Sequence, residues 1–176
     1  YRRQRQMCIR DSCAALAEIA DGAAKGCSSM AFLVIGTGVG GSIIINNQIW
    51  HGAHLYGGEF GFMIIDGKQL SELASPVTMA KRYNKKTGKN FDGKTVFELA
   101  DTDDPVAQEE RGKLLHALAV AIFNIQHSFD PEKIIIGGGI SQNPELVPLL
   151  DDEIAKLRNK MDIETVKPIL DICTLK

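Results

Sequence analysis

The stretch Ile35-Gly36-Thr37-Gly38-Val39-Gly40-Gly41-Ser42 decides the fold, because small residues here join two apolar segments. Residues 31–35 predict a buried strand, and residues 42–45 predict its antiparallel partner in a hairpin. Small residues let the backbone approach a ligand closely and turn its amide N–H groups toward an anion, as phosphate binding requires. Glycine clusters also end strands in purely structural hairpins, so the choice between these two interpretations depends on the rest of the chain.

The overall composition is that of an ordinary soluble globular protein. The chain has 176 residues, of which 44% are hydrophobic, and a formal net charge of -2. These values predict one domain, and the slightly negative net charge does not indicate binding to nucleic acid. No apolar run is long enough to span a membrane, and we expect a cytoplasmic protein with no membrane partner. The four cysteines include no C-x-x-C pair, so they indicate neither a zinc site nor a disulfide framework.

Hydrophobic periodicity and helix-capping residues predict an α/β domain with a mixed sheet flanked by helices. Asp104 followed by Pro105 is a typical start for the long helix, and Pro76 is expected in the first turn of an earlier one. Asn143-Pro144 is expected to cap the last helix. The predicted elements are a helix at 14–20, strands at 31–35, 42–45, 48–50 and 62–65, helices at 70–83, 92–99 and 105–130, a strand at 133–136, a helix at 144–157 and a strand at 166–174.

A second glycine turn repeats the opening pattern. Residues 133–136 predict a buried strand, and Gly137, Gly138 and Gly139 follow it directly. Two such turns at strand ends on one side of a sheet favour a nucleotide site. Neither is a Walker A loop, and neither fits the G-x-G-x-x-G dinucleotide fingerprint. Gly36-Thr37-Gly38 instead enters a β-hairpin, as the phosphate-binding turn does in the actin and hexokinase clan.

Three motifs occur in a fixed order: GTGVGG at 36–41, GGEFG at 57–61 and DPEKIIIGGGIS at 130–141. In order and spacing they resemble the ROK family of bacterial sugar kinases and sugar-responsive repressors. The resemblance covers residues 13–176 and implies an actin/hexokinase-like (ribonuclease H-like) ATPase fold. The residues around 58–63 and 141–144 are most similar to the zinc-free β-glucoside kinase branch.

The resemblance implies ATP-dependent phosphorylation, with Mg²⁺, of a hydroxyl on a sugar or β-glucoside. It implies that full-length members are homodimers. It places two glycine groups on either side of the nucleotide: Gly36, Thr37, Gly38 and Gly40, and Gly137, Gly138 and Gly139. It places Glu59 at the sugar together with Gly58, and His54 is a further candidate residue of the sugar pocket. A carboxylate flanked by glycines can accept hydrogen bonds from adjacent sugar hydroxyls, although an exposed loop acid is the alternative interpretation of Glu59.

Several residues depart from the family pattern. Most members carry His where Phe62 stands, followed by a cysteine cluster, and no cysteine lies between Cys27 and Cys173 here. Because a tetrahedral site needs its thiolates, we predict no structural zinc. The sugar-contacting glutamate of the family aligns with Ser71 or, one place on, with Glu72.

The largest departure concerns the catalytic base, which the family provides in an N-D-x-N-x-A-A-x-x-E segment. With Ala14-Ala15 and Glu18 in register, Arg10 occupies the position of the aspartate, and an arginine cannot take the proton. Asp11, one residue out of register, is therefore the candidate catalytic residue. We expect residues 1–12 to be a non-native or disordered segment, and residues 13–176 to be the C-terminal nucleotide-binding lobe, truncated at both ends and inactive alone.

The alternative function is the sugar-sensing domain of a ROK repressor, in which case nucleic acid would be a partner of the whole protein. Repressors of the family usually keep the zinc cluster and often lose the phosphate-binding glycines. Here the cluster is missing and the glycines are present. This combination favours the kinase.

Overall fold

A computed structural model describes the backbone of residues 2–162 and 164–175, and within these ranges the side chains from residue 11 onward. Its strands are β1 (Met30–Ile35), β2 (Val39–Ile45), β3 (Gln48–Ile49), β4 (Ile64–Ile65), β5 (Lys68–Gln69), β6 (Lys133–Gly137) and β7 (Leu170–Ile172). Five of them form one sheet in the order β3-β2-β1-β6-β7, and β4 and β5 form a separate hairpin. The mixed sheet expected from the sequence is confirmed.

The first hairpin forms the centre of this sheet. β1 pairs antiparallel with β2, from Met30 opposite Ile44 to Ile35 opposite Val39. On its other side β1 runs parallel to β6, and β6 runs parallel to β7. Because β1 and β6 are parallel neighbours, the two glycine turns that follow them lie at the same edge of the sheet.

The helices are α1 (Arg2–Asp21), α2 (Leu70–Leu73), α3 (Pro76–Thr87), α4 (Gly93–Leu99), α5 (Pro105–Phe129) and α6 (Leu146–Arg158). The predicted helix start at Asp104-Pro105 and the expected position of Pro76 in a first turn are confirmed. The Ser75 side chain caps α3 and the Asp104 side chain caps α5, and in each helix proline is the first residue. No helix in the described part of the chain combines the length and hydrophobicity that crossing a bilayer needs.

The sheet buries a different set of residues on each face, because successive strand side chains point to opposite sides. Leu33, Ile35 and Ile43 belong to the larger core, which α5 and the other C-terminal helices cover. Phe32 and Ile44 belong to a smaller core that includes Ala15 of α1. The helix α1 thus covers one face and the remaining helices cover the other.

Four local predictions differ from the structure. Residues 60–62 form a 3-10 turn, so the strand predicted at 62–65 is reduced to β4. The helix predicted at 70–83 is broken before Pro76, which has no N–H to continue it. A 3-10 turn at 139–142 precedes α6, and the Asn143 side chain accepts a hydrogen bond from the backbone of Glu145 (2.9 Å) without capping the helix itself. The last strand is shorter than predicted.

Candidate functional site

A cleft of about 720 Å³ opens where the two glycine turns meet the N-terminal ends of α3 and α4. Gly36 and Thr37 from the first turn and Gly139 from the second line one part of it. The other lining residues are Ile35, Pro76, Val77, Asp92, Gly93, Lys94, Phe97, Glu98, Ile140, Gln142, Asn143 and Pro144. The structure therefore brings members of both predicted glycine groups, Gly36, Thr37 and Gly139, to one cavity.

The first glycine turn is held by hydrogen bonds from α2 and from the residue before α3. The amide of Gly36 donates to the carbonyl oxygen of Gly38 (2.9 Å), which closes the turn. The hydroxyl of Ser75 lies 2.8 Å from the carbonyl oxygen of Gly36 and 3.0 Å from that of Thr37. The hydroxyl of Ser71 accepts from the amide of Val39 at 3.0 Å. Ser71, one of the two residues that align with the family's sugar-contacting glutamate, thus supports the turn.

The second glycine turn packs directly on the end of β1. Gly138 has φ 90°, and a Cβ there would lie 2.3 Å from the carbonyl oxygen of Ile35. Gly137 is buried against the ring of Phe32, whereas a Cβ on Gly139 would meet nothing within 4 Å. Gly137 and Gly138 therefore shape the turn, and Gly139 is the member of this group that lines the cleft.

The rest of the cleft comes from residues that the sequence did not indicate as site residues. Pro76, Val77, Phe97 and Ile140 provide apolar surface, and Asp92, Lys94 and Glu98 provide charge at the α4 side. Hydrogen bonds from Thr95 to Asp92, the capping residue of α4, lower the pKa of its carboxyl. The only signal in the sequence was the pair of helix starts at Ser75-Pro76 and Asp92-Gly93, which does not show that the two starts meet.

The predicted sugar-binding residues lie in the loop that packs on β2, and none of them lines the cleft. Gly58 has φ 87°, and a Cβ there would lie 2.7 Å from the Cα of Ser42. Glu59 is half-buried and directly precedes the 3-10 turn at 60–62, and His54 is exposed. Phe62, which stands where most family members have His, is 47% exposed. Among the described side chains, no group of three His, Cys, Asp or Glu is placed to hold a metal ion.

The candidate base lies on α1, against the other face of the hairpin. A Cβ on Gly40 would lie 2.3 Å from Oδ2 of Asp11, so glycine at this position accommodates the carboxylate. The next residue, Ser12, is buried with its hydroxyl 3.4 Å from that of Ser42. Gly40 thus faces α1 and does not line the cleft. The helix continues through the boundary at 12/13, and the non-native origin of residues 1–12 stays a prediction.

Glu18, the residue that sets the family register on α1, is buried with 1% exposure. Its carboxylate accepts hydrogen bonds from the amides of Ala23 (2.7 Å), Thr174 (3.0 Å) and Leu175 (2.9 Å). It thereby joins α1 to the segment that follows β7. The described contacts make Glu18 a structural residue.

The chain is similar to several known proteins. A β-glucoside kinase of Klebsiella pneumoniae is 33% identical over 155 residues, which make up 82% of this chain and 52% of that protein. A solved ROK family protein from Streptococcus pneumoniae, in complex with sucrose, superposes with a TM-score of 0.87 at 32% identity, over 94% of this chain and 58% of that one. A ROK family transcriptional regulator shares the fold (TM-score 0.72, 22% identity), over 92% of this chain and 45% of that one.

These likenesses confirm the actin/hexokinase-like fold expected from the motifs. The chain spans about half the length of the curated relatives it matches. The model of the ROK family matches residues 8–171, nearly the whole sequence. On these grounds, together with the glycine turns that meet at the cleft, the chain belongs to the ROK family.

Proposed function

We propose that this chain is the nucleotide-binding part of an ATP-dependent sugar kinase. The observation that carries the proposal is the cleft, which is lined both by the two glycine turns and by apolar side chains. A nucleotide needs both, because its base favours apolar surface and its phosphates favour backbone N–H groups.

The glycines leave room for such a ligand. A Cβ on Gly36 or on Gly139 would meet nothing within 4 Å, so these positions border open space. Val77 lies in the first turn of α3 and Phe97 lies in α4. Together with Ile140 they form the apolar wall of the cleft. Mg²⁺, which binds few protein ligands and prefers phosphate oxygens, would enter with the nucleotide.

The proposed reaction is transfer of the γ-phosphoryl group to a sugar hydroxyl. The hydroxyl oxygen forms a bond to the γ-phosphorus, the bond from that phosphorus to the β,γ-bridging oxygen breaks, and the hydroxyl proton passes to a base. Asp11 is the candidate base, because it lies one residue from the position that the family register gives to the catalytic aspartate. Glu59 is the candidate acceptor for other sugar hydroxyls, and Gly58 and His54 lie in the same loop.

We further propose a β-glucoside as the sugar substrate. The support is the 33% identity to a protein named β-glucoside kinase. We expect no phosphoryl transfer by the 176-residue chain alone, so the test measures the binding of cellobiose, glucose and N-acetylmannosamine to it by calorimetry. Tightest binding of cellobiose supports the proposal, and a clear preference for glucose or N-acetylmannosamine contradicts it.

Nucleotide binding is tested by calorimetry with ATP and Mg²⁺ on the wild-type chain and on Val77→Glu. Val77 is 39% exposed and lies in the first turn of α3, where a glutamate suits the helix and does not disturb folding. A carboxylate there would lie in the apolar surface that is proposed to contact the adenine ring, so we expect at least about tenfold weaker ATP binding. The matched control is Val166→Glu, at an exposed valine outside the cleft, which is expected to bind like wild type.

Equal affinity of the wild type and Val77→Glu for ATP would contradict the assigned site. Sugar binding without any ATP binding would instead support the repressor alternative, whose fold the chain shares. The intact glycine turns favour the kinase over that alternative.

A further inference from the structure

Ser75 is a fully buried serine at the break between α2 and α3. Its hydroxyl accepts hydrogen bonds from the amides of Val77 (3.2 Å) and Thr78 (3.5 Å), which caps α3. The same oxygen lies 2.8 Å and 3.0 Å from the carbonyl oxygens of Gly36 and Thr37, to which it donates. One side chain therefore contacts both the first glycine turn and the helix that carries the apolar wall of the cleft.

This contact determines which way the N–H groups of the turn point. In a planar trans peptide, the carbonyl and the N–H of the following residue point in opposite directions. Because the carbonyls of Gly36 and Thr37 point to the buried Ser75, the N–H groups of Thr37 and Gly38 point away from Ser75, and Thr37 lines the cleft. Neither of these two N–H groups donates a hydrogen bond within the described part of the chain. Adjacent N–H groups of this kind form a concave site for an anion.

We propose that Ser75 is a positioning residue, which holds these two carbonyls so that the N–H groups of Thr37 and Gly38 face the phosphates of a bound nucleotide. The inference rests on the proposed function. Ser75 also fixes the start of α3, so it holds Pro76 and Val77, which line the cleft, beside the first glycine turn.

The test measures the binding of adenosine and of ADP to the wild-type chain, Ser75→Ala and Ser75→Gly. Both variants remove the hydroxyl, but glycine is nearly as good as serine at a helix N-cap and alanine is not. We expect both variants to bind ADP at least about tenfold more weakly and adenosine within about twofold of wild type. The matched control, Thr78→Val, removes a hydroxyl that bonds only the carbonyl oxygen of Ser75 (2.9 Å) and is expected to bind both ligands normally.

Two results would overturn the inference. One is an equal loss of adenosine and ADP affinity in Ser75→Ala, and the other is recovery of ADP binding in Ser75→Gly, since either would trace the effect to helix capping alone. A second measurement uses only wild-type protein, in case the variants do not fold. ADP and inorganic pyrophosphate should each shift the amide NMR signals of Thr37 and Gly38, and unchanged signals with ADP bound would refute the assignment of these donors.

The same measurements distinguish failure of the role of Ser75 from failure of the proposed function. A wild-type chain that binds adenosine and ADP equally keeps a nucleoside site and refutes the role of Ser75. A wild-type chain that binds no adenosine, ADP or pyrophosphate refutes both.

Discussion

Replacing Glu110 by glutamine is expected to cost about 3 kcal/mol of folding free energy at pH 7. Glu110 lies on α5, and its side chain has no exposed surface. Its carboxylate contacts Nε of Arg82 (2.6 Å), Nζ of Lys86 (2.9 Å) and Nζ of Lys113 (3.1 Å). Arg82 and Lys86 belong to α3, so this cluster joins the helix at the cleft wall to the long helix of the core.

The magnitude follows from the ionisation of Glu110. Burial alone raises the pKa of this carboxyl, but the hydrogen bonds from Arg82, Lys86 and Lys113 outweigh burial and lower the pKa from 4.5 to about 2. At about 1.36 kcal/mol for each pKa unit, this difference corresponds to about 3 kcal/mol. Because the folded-state pKa is the lower one, the stabilisation is complete above pH 4.5 and is lost as the pH falls toward 2.

The assay is urea denaturation of the wild type and Glu110→Gln at pH 7 and at steps down to pH 3. The wild type should lose stability through this acid window, and the variant should lose less because it has no carboxyl to protonate. The control is Glu109→Gln, a half-exposed neighbour that contacts the same Lys86 (2.8 Å) and Lys113. An exposed pair contributes less than about 1 kcal/mol. Equal costs for the two variants, with parallel pH profiles, would refute this reasoning.

Three further variants test other parts of the fold by thermal or urea denaturation. Gly138→Ala, with φ 90° and a Cβ 2.3 Å from the carbonyl oxygen of Ile35, should lose at least about 2 kcal/mol; a smaller loss means that the turn can shift. Glu18→Gln should cost about 2 kcal/mol, since an amide cannot accept all the bonds from Ala23 and residues 174–175, and a neutral result contradicts their importance. Gly112→Ala, in α5 with open space around it, should stabilise by about 0.5–1 kcal/mol, and destabilisation would be unexpected.

Local rules in the sequence predicted the elements that depend on neighbouring residues. The β1–β2 hairpin follows from two apolar segments joined by a short glycine turn, and the start of α5 follows from the capping residue Asp104 before Pro105. Each involves contacts between residues close in the chain. The sequence predicted one helix over 70–83, whereas the structure divides it before Pro76, because Ser75 caps α3 and bonds the glycine turn, a contact that the sequence did not show.

The residues of the candidate site also divide into those that local sequence predicted and those that depend on packing. The sequence by itself determined the two glycine turns and the buried strands that precede them, since apolar runs and glycine spacing are local features. Only the tertiary structure decided that Val77 and Phe97 complete the cleft, that Gly139 lines it while Gly137 is buried, and that Gly40 faces Asp11. The physical reason is that these contacts join segments far apart in sequence, whose meeting depends on how the helices pack on each face of the sheet.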